Sequence, residues 1–98
     1  MYAIAVAWSF RRGNEDLIRF GYREVMLPAA RHRPGFRHGY VVRIAPDAWL
    51  TVLLFESQAL LEAAMTELSP LIRRHHGRVL AGMQRYAGEV ELEEAAMP

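Results

Sequence analysis

The chain has 98 residues, enough for one domain over residues 1–98 with one core, and its 52% hydrophobic and 23% charged residues exclude a disordered chain. A net charge of +1 gives the whole molecule no electrostatic reason to bind polyanions. The absence of cysteine removes disulfides, thiolate zinc sites and cysteine nucleophiles, and fits a reducing cytoplasm.

The first ten residues, MYAIAVAWSF, alternate large (Tyr2, Ile4, Val6, Trp8, Phe10) with small, which predicts a strand. They are too few to span a bilayer. The following Arg11-Arg12 stands on the wrong side for a signal peptide, so a cytoplasmic protein without a membrane segment is expected. Gly13-Asn14 ends the strand. Asn14 suits a helix N-cap, and Glu15 and Asp16 suit the positive end of the helix dipole. Leu17, Ile18, Phe20, Tyr22, Val25 and Met26 then form an amphipathic helix to about His32, which Pro28 kinks or restarts.

Pro34-Gly35 is a turn, and FRHGYVVRI, 36–44, is a second strand. A turn at Ala45-Pro46-Asp47 leads into a third strand, WLTVLLF, 49–55. Ser57 caps a helix over QALLEAAMTELS. Ser69-Pro70 starts another helical piece to about Gly82. YAGEVELEE, 86–94, sets Val90 and Leu92 against glutamates and predicts a fourth strand with one wet face.

The order β-α-β-β-α-β is the ferredoxin-like arrangement, a four-stranded antiparallel sheet of α+β class. Right-handed crossovers place strands 1 and 3 at the centre. The charges agree: strands 1 and 3 have none, whereas Arg37, Arg43 and the glutamates fall on strands 2 and 4, the edges. Both helices cover one face of such a sheet, yet strands 1 and 3 are apolar on both faces. A second copy packed on the open face is the simplest cover, so a homodimer through the sheet face is expected.

Three stretches, RHRPGFRHGYVVR, WLTVLLFES and YAGEVELEE, together resemble the antibiotic biosynthesis monooxygenase-like family of the dimeric α/β-barrel group. The resemblance implies a homodimer with a pocket between helices and sheet in each subunit. It implies oxidation of aromatic or quinol-like molecules without metal or flavin in some members, haem degradation in others. Haem-degrading members carry an Asn on the first strand, a Trp in the helix after the third and an iron-ligating His beyond it. Here the first strand has no Asn and 57–68 no Trp, while His75 and His76 lie in the comparable region. Haem ligation through His75 or His76 is one reading of that pair. A solvated helix end is the other, since cations suit the C-terminal end of the dipole.

For oxidation without a cofactor the protein must hold a flat ring, stabilise its oxyanion and exclude water. His38 is the candidate base, with Arg37 and Arg43 as electrostatic help. Trp8, Tyr22, Tyr40 and Trp49 are the candidate substrate-binding aromatics. Each has the plainer alternative of core packing or surface, and an interior pocket uniting Trp8, Tyr40 and His38 would separate the two. No metal site is expected, because adjacent histidines on a helix diverge by roughly 100°. A nucleic-acid role is not expected either, since the sheet face that would carry it is needed for the dimer.

Overall fold

A computed structural model describes residues 1–94 and residue 96. Strands β1 (Tyr2–Phe10), β2 (Phe36–Ala45), β3 (Ala48–Phe55) and β4 (Leu80–Glu89) form one sheet in the order β2-β3-β1-β4. Every neighbouring pair is antiparallel. The dry strands are central and the charged ones are edges, as the crossover rule requires. Helix α1 (Glu15–Gly21), a π turn (Tyr22–Met26) and α2 (Leu27–Arg31) run on as one rod, and α3 (Gln58–His76) is the second. No helix among the described residues is long and apolar enough to cross a membrane.

Alternation decides which face of the sheet the rods cover. Ile4, Val6, Trp8 and Phe10 of β1 are buried under them, as are Trp49, Thr51, Leu53 and Phe55 of β3. They meet Ile18, Tyr22, Met26 and Ala30 from the first rod and Leu61, Ala64 and Leu68 from α3. The opposite face holds Ala3, Ala5 and Ala7 flanked by Leu50, Val52 and Leu54, with Tyr40 and Val42 on β2 and Tyr86 on β4. Tyr40, Val42, Ile44 and Tyr86 stand 60%, 47%, 65% and 58% exposed.

The helix starts and breaks have local causes. The Ser57 hydroxyl accepts the Leu60 N–H at 3.2 Å, the cap its sequence predicts. Asn14 takes the N-cap position of α1 but donates its amide to the Arg11 and Arg12 carbonyls instead, tightening the turn at Gly13. Pro28 stands in the first turn of α2, the restart its sequence predicts, while the three pieces follow one another as one rod. Pro28 has no N–H for the Glu24 carbonyl, and the turn before it is of π type, with the Leu27 N–H bonded to the Tyr22 carbonyl.

Two predicted boundaries are corrected. Pro70 lies inside α3, which continues to His76 rather than restarting at Ser69 and reaching Gly82. Strand β4 accordingly begins at Leu80 and ends at Glu89, so Val90 and Leu92 alternate beyond it. Hydrogen-bond register with β1, Ala7 to Gln84 and Ala5 to Tyr86, outweighs the weak strand pattern of LAGMQRY.

Candidate functional site

A cleft of about 570 Å³ lies between the first helical rod and edge strand β2. Its helical wall carries Arg19, Tyr22, Arg23, Leu27 and Arg31. Three arginines and a leucine recur at every fourth residue. In an α-helix each such step drifts by about 40°, and the wider π turn at 22–26 takes up part of that drift. The strand wall carries Phe36, Arg37, Gly39 and Val41, with Trp49 of β3 behind them. Register slips between Phe36 and His38, so that Phe36 and Arg37 together oppose Phe55, and this bulge leaves Arg37 beside Phe36 on the cleft.

The floor is aromatic. Tyr22 and Trp49 stack at 6.0 Å with 30° between planes, and the Arg19 guanidinium lies 5.8 Å from the Trp49 ring centre. The Trp49 indole N–H donates to the Pro46 carbonyl at 3.3 Å, which fixes the ring. No carboxylate is among the residues lining the cleft. The acids stand outside: Glu15 and Asp16 bridge Arg19 at 3.0 and 3.2 Å, Glu24 bridges Arg23 at 3.0 Å, and Glu56 bridges Arg37 at 3.3 Å.

Behind the floor, the space between helices and sheet is nearly filled. A void of about 30 Å³ lies there, bordered by Trp8, Tyr22, Thr51 and aliphatic side chains, and a separate recess of about 190 Å³ opens between α3 and β4 over Val6 and Trp8. The void accommodates a water molecule, not an aromatic ring. The Trp8 indole N–H donates to the Thr51 hydroxyl at 3.0 Å. Tyr22 Oη is enclosed without a well-formed hydrogen bond. Burial pushes its hydroxyl up to about 12, against a weaker opposite pull from the Thr51 hydroxyl, so it stays a neutral donor and is no base.

The sequence-predicted residues therefore separate. Tyr22, Trp49 and Arg37 come together on the cleft, and His38 reaches its rim. Trp8 is core, 6% exposed. The His38 ring stacks with Tyr40 at 6.3 Å on the open sheet face, so the interior pocket of Trp8, Tyr40 and His38 does not form. Arg43 is tied to Glu15 and does not line the cleft. His76 is not a solvated helix end: it is 1% exposed, wedged edge-on against Tyr22 at 5.0 Å and Phe10 at 5.4 Å, and neither ring nitrogen has a hydrogen-bond partner. Haem iron has no approach to it, while His75 beside it is half-buried. Burial lowers the His76 pKa, the Ile18 backbone opposes this and His75 adds to it. No group of three metal-ligating side chains occurs among the described residues. Sequence reasoning missed Arg19, Arg23 and Arg31 as site residues, although their four-residue spacing was there to be read.

No family model matches the chain, and no curated protein does. Solved structures do. A candidate antibiotic biosynthesis monooxygenase from Nitrosomonas europaea superposes with a TM-score of 0.81 at 12% identity, over 94% of this chain and 100% of that one. A variant of SnoaB, a cofactor-independent oxygenase from Streptomyces nogalater, gives 0.77 at 7% identity, over 94% of each. A variant of MhuD with two manganese protoporphyrin IX molecules bound per active site gives 0.79 at 17% identity, over 98% and 100%. At these identities the likeness establishes a shared fold, that of the antibiotic biosynthesis monooxygenase-like proteins.

Proposed function

We propose that this protein is a homodimer that binds a flat aromatic, quinol-like molecule in the cleft between its first helical rod and β2 and oxidises it with molecular oxygen. The observation that carries the reading is an apolar wall of Leu27, Phe36 and Val41 over the buried Trp49 and Tyr22 rings, facing arginines with no carboxylate between them. A deprotonated quinol-type ring gives electrons to oxygen without a metal or flavin. In such a reaction a ring methylene becomes a carbonyl with one oxygen atom, and the other leaves as water with the two hydrogens. Arg37 stabilises the ring oxyanion, and water at the cleft mouth takes the proton, since the His38 ring stacks on Tyr40 at the open sheet face. The second copy covers the apolar sheet face, leaving the cleft open on the helix side.

Binding without chemistry is the second reading. It is favoured by the filled interior and by a His38 ring turned toward Tyr40. Thermal-shift titration with polycyclic phenols, followed by an oxygen electrode, separates the two. The oxidation reading expects stabilisation and oxygen uptake, with uptake falling about a hundredfold in Arg37→Ala and unchanged in His38→Ala. Stabilisation with no oxygen uptake would leave a binding protein. No stabilisation by any phenol would remove the cleft as a ligand site.

A further inference from the structure

The arginines of the cleft exceed what one oxyanion needs. Arg19, Arg23, Arg31 and Arg37 line it together, and the lining offers them no counter-charge. Arg19 is spoken for: its guanidinium bridges Glu15 and Asp16 and leans over Trp49. Arg23 and Arg37 each have a single exposed acid on the outer side, and exposed pairs of this kind are weak and exchange readily. Arg31 has no acid within bridging distance among the described residues, although Glu24 and Glu56 serve its neighbours. Three guanidiniums at the mouth of an aromatic cleft thus keep donor capacity that water alone satisfies.

From this we infer that the ligand of the cleft is an aromatic anion: a flat ring system lying among Leu27, Phe36 and Val41, with an oxyacid group, carboxylate or phosphate, held by Arg31 and Arg37 with Arg23 beside them. A guanidinium presents paired N–H groups that match two oxygens of such a group, whereas a phenol offers one oxygen. The helical stripe and the β2 bulge bring these side chains from opposite walls to one mouth, so the charge lies at the rim and the ring goes inward. The inference rests on the cleft being the ligand site and adds the charge of what it takes.

Calorimetric titration of the full chain with naphthoate, naphthyl phosphate and the neutral isostere naphthamide tests it. Naphthoate or naphthyl phosphate is expected to bind about ten- to a hundredfold tighter than naphthamide. The tighter of the two identifies the oxyacid. Arg31→Gln should lower that ratio and Arg31→Gln with Arg37→Gln should bring it toward one, and an about tenfold rise in salt should weaken the anions while sparing naphthamide. Equal affinity for all three probes would overturn the anion inference and leave the aromatic site standing. Binding of none would overturn both. Circular dichroism of the variants guards the comparison, since the substituted side chains lie at the surface and their loss leaves the core intact.

Discussion

Val52→Glu is expected to turn a tight dimer into a folded monomer. Val52 sits mid-strand on β3, on the sheet face opposite the helices, paired with Ala5 on one side and Tyr40 on the other. In the dimer a carboxylate there would be buried twice, once from each copy, between Ala5 and the Tyr40 ring in a recess that Arg37 and His38 border. A buried charge paired only in part costs on the order of 3 kcal/mol, or about two orders of magnitude in the association constant. In the isolated chain the same carboxylate would point to water, so the helix-side core and the melting behaviour of the monomer should persist. Sedimentation equilibrium of wild type and variant reads this directly. A wild-type monomer at micromolar concentration, or a variant dimer as tight as wild type, would contradict the covering of this face by a second copy. Ile44→Glu on edge strand β2, 65% exposed in the single chain, offers a substitution with less risk to the fold.

Gly21→Ala is expected to destabilise the protein by about 2 kcal/mol, against the gain that alanine normally brings to a helix. A Cβ at position 21 would collide with His76 Nε2. The imidazole cannot step aside, being closed in by Phe10 and Tyr22. Removing the ring should rescue the substitution, so Gly21→Ala and His76→Ala should couple favourably by roughly 1–3 kcal/mol in urea unfolding. Strict additivity would show that the two groups do not touch.

The same histidine gives the protein an acid-sensitive element. Its folded pKa is lowered by burial, so the folded state resists a proton that the unfolded chain accepts near 6.5. Above that value both states are neutral and the group contributes no pH dependence. Below it the unfolded state binds more protons, and stability falls toward the lowered pKa at no more than about 1.4 kcal/mol per pH unit. Wild type should lose stability as the pH falls below about 6.5, and His76→Ala should lose less over the same interval. Equal slopes would assign the acid sensitivity to other groups.

The strand and helix order was legible because periodicity is a backbone-scale signal: large and small residues alternate along β1 with no exception from Tyr2 to Phe10. The last strand was not, because VELEE imitates an edge strand more closely than LAGMQRY does, and only pairing with β1 decides between them. Pro70 misled for a similar reason. Proline is favoured at a first helical turn, but α3 is long enough to carry one interior proline. Half of the site could be read as residue types: Tyr22, Trp49 and Arg37 meet on the cleft. Their meeting depends on the π turn before Pro28 and on a β-bulge that pairing with β3 fixes. His38 and Arg37, adjacent in sequence, were read as partners. The pleat sends the His38 ring to the open face beside Tyr40, and the bulge leaves Arg37 at the sheet edge, where it borders both the cleft and the recess on the open face.

The placement of the ligand is the claim on which the functional account turns, and a crystal soaked with a brominated naphthol tests it in one map. The account predicts anomalous density in the cleft, with the ring among Leu27, Phe36 and Val41 and its oxygen toward Arg37. Density under Trp8 and Thr51, on the open sheet face, or nowhere in the crystal would contradict it.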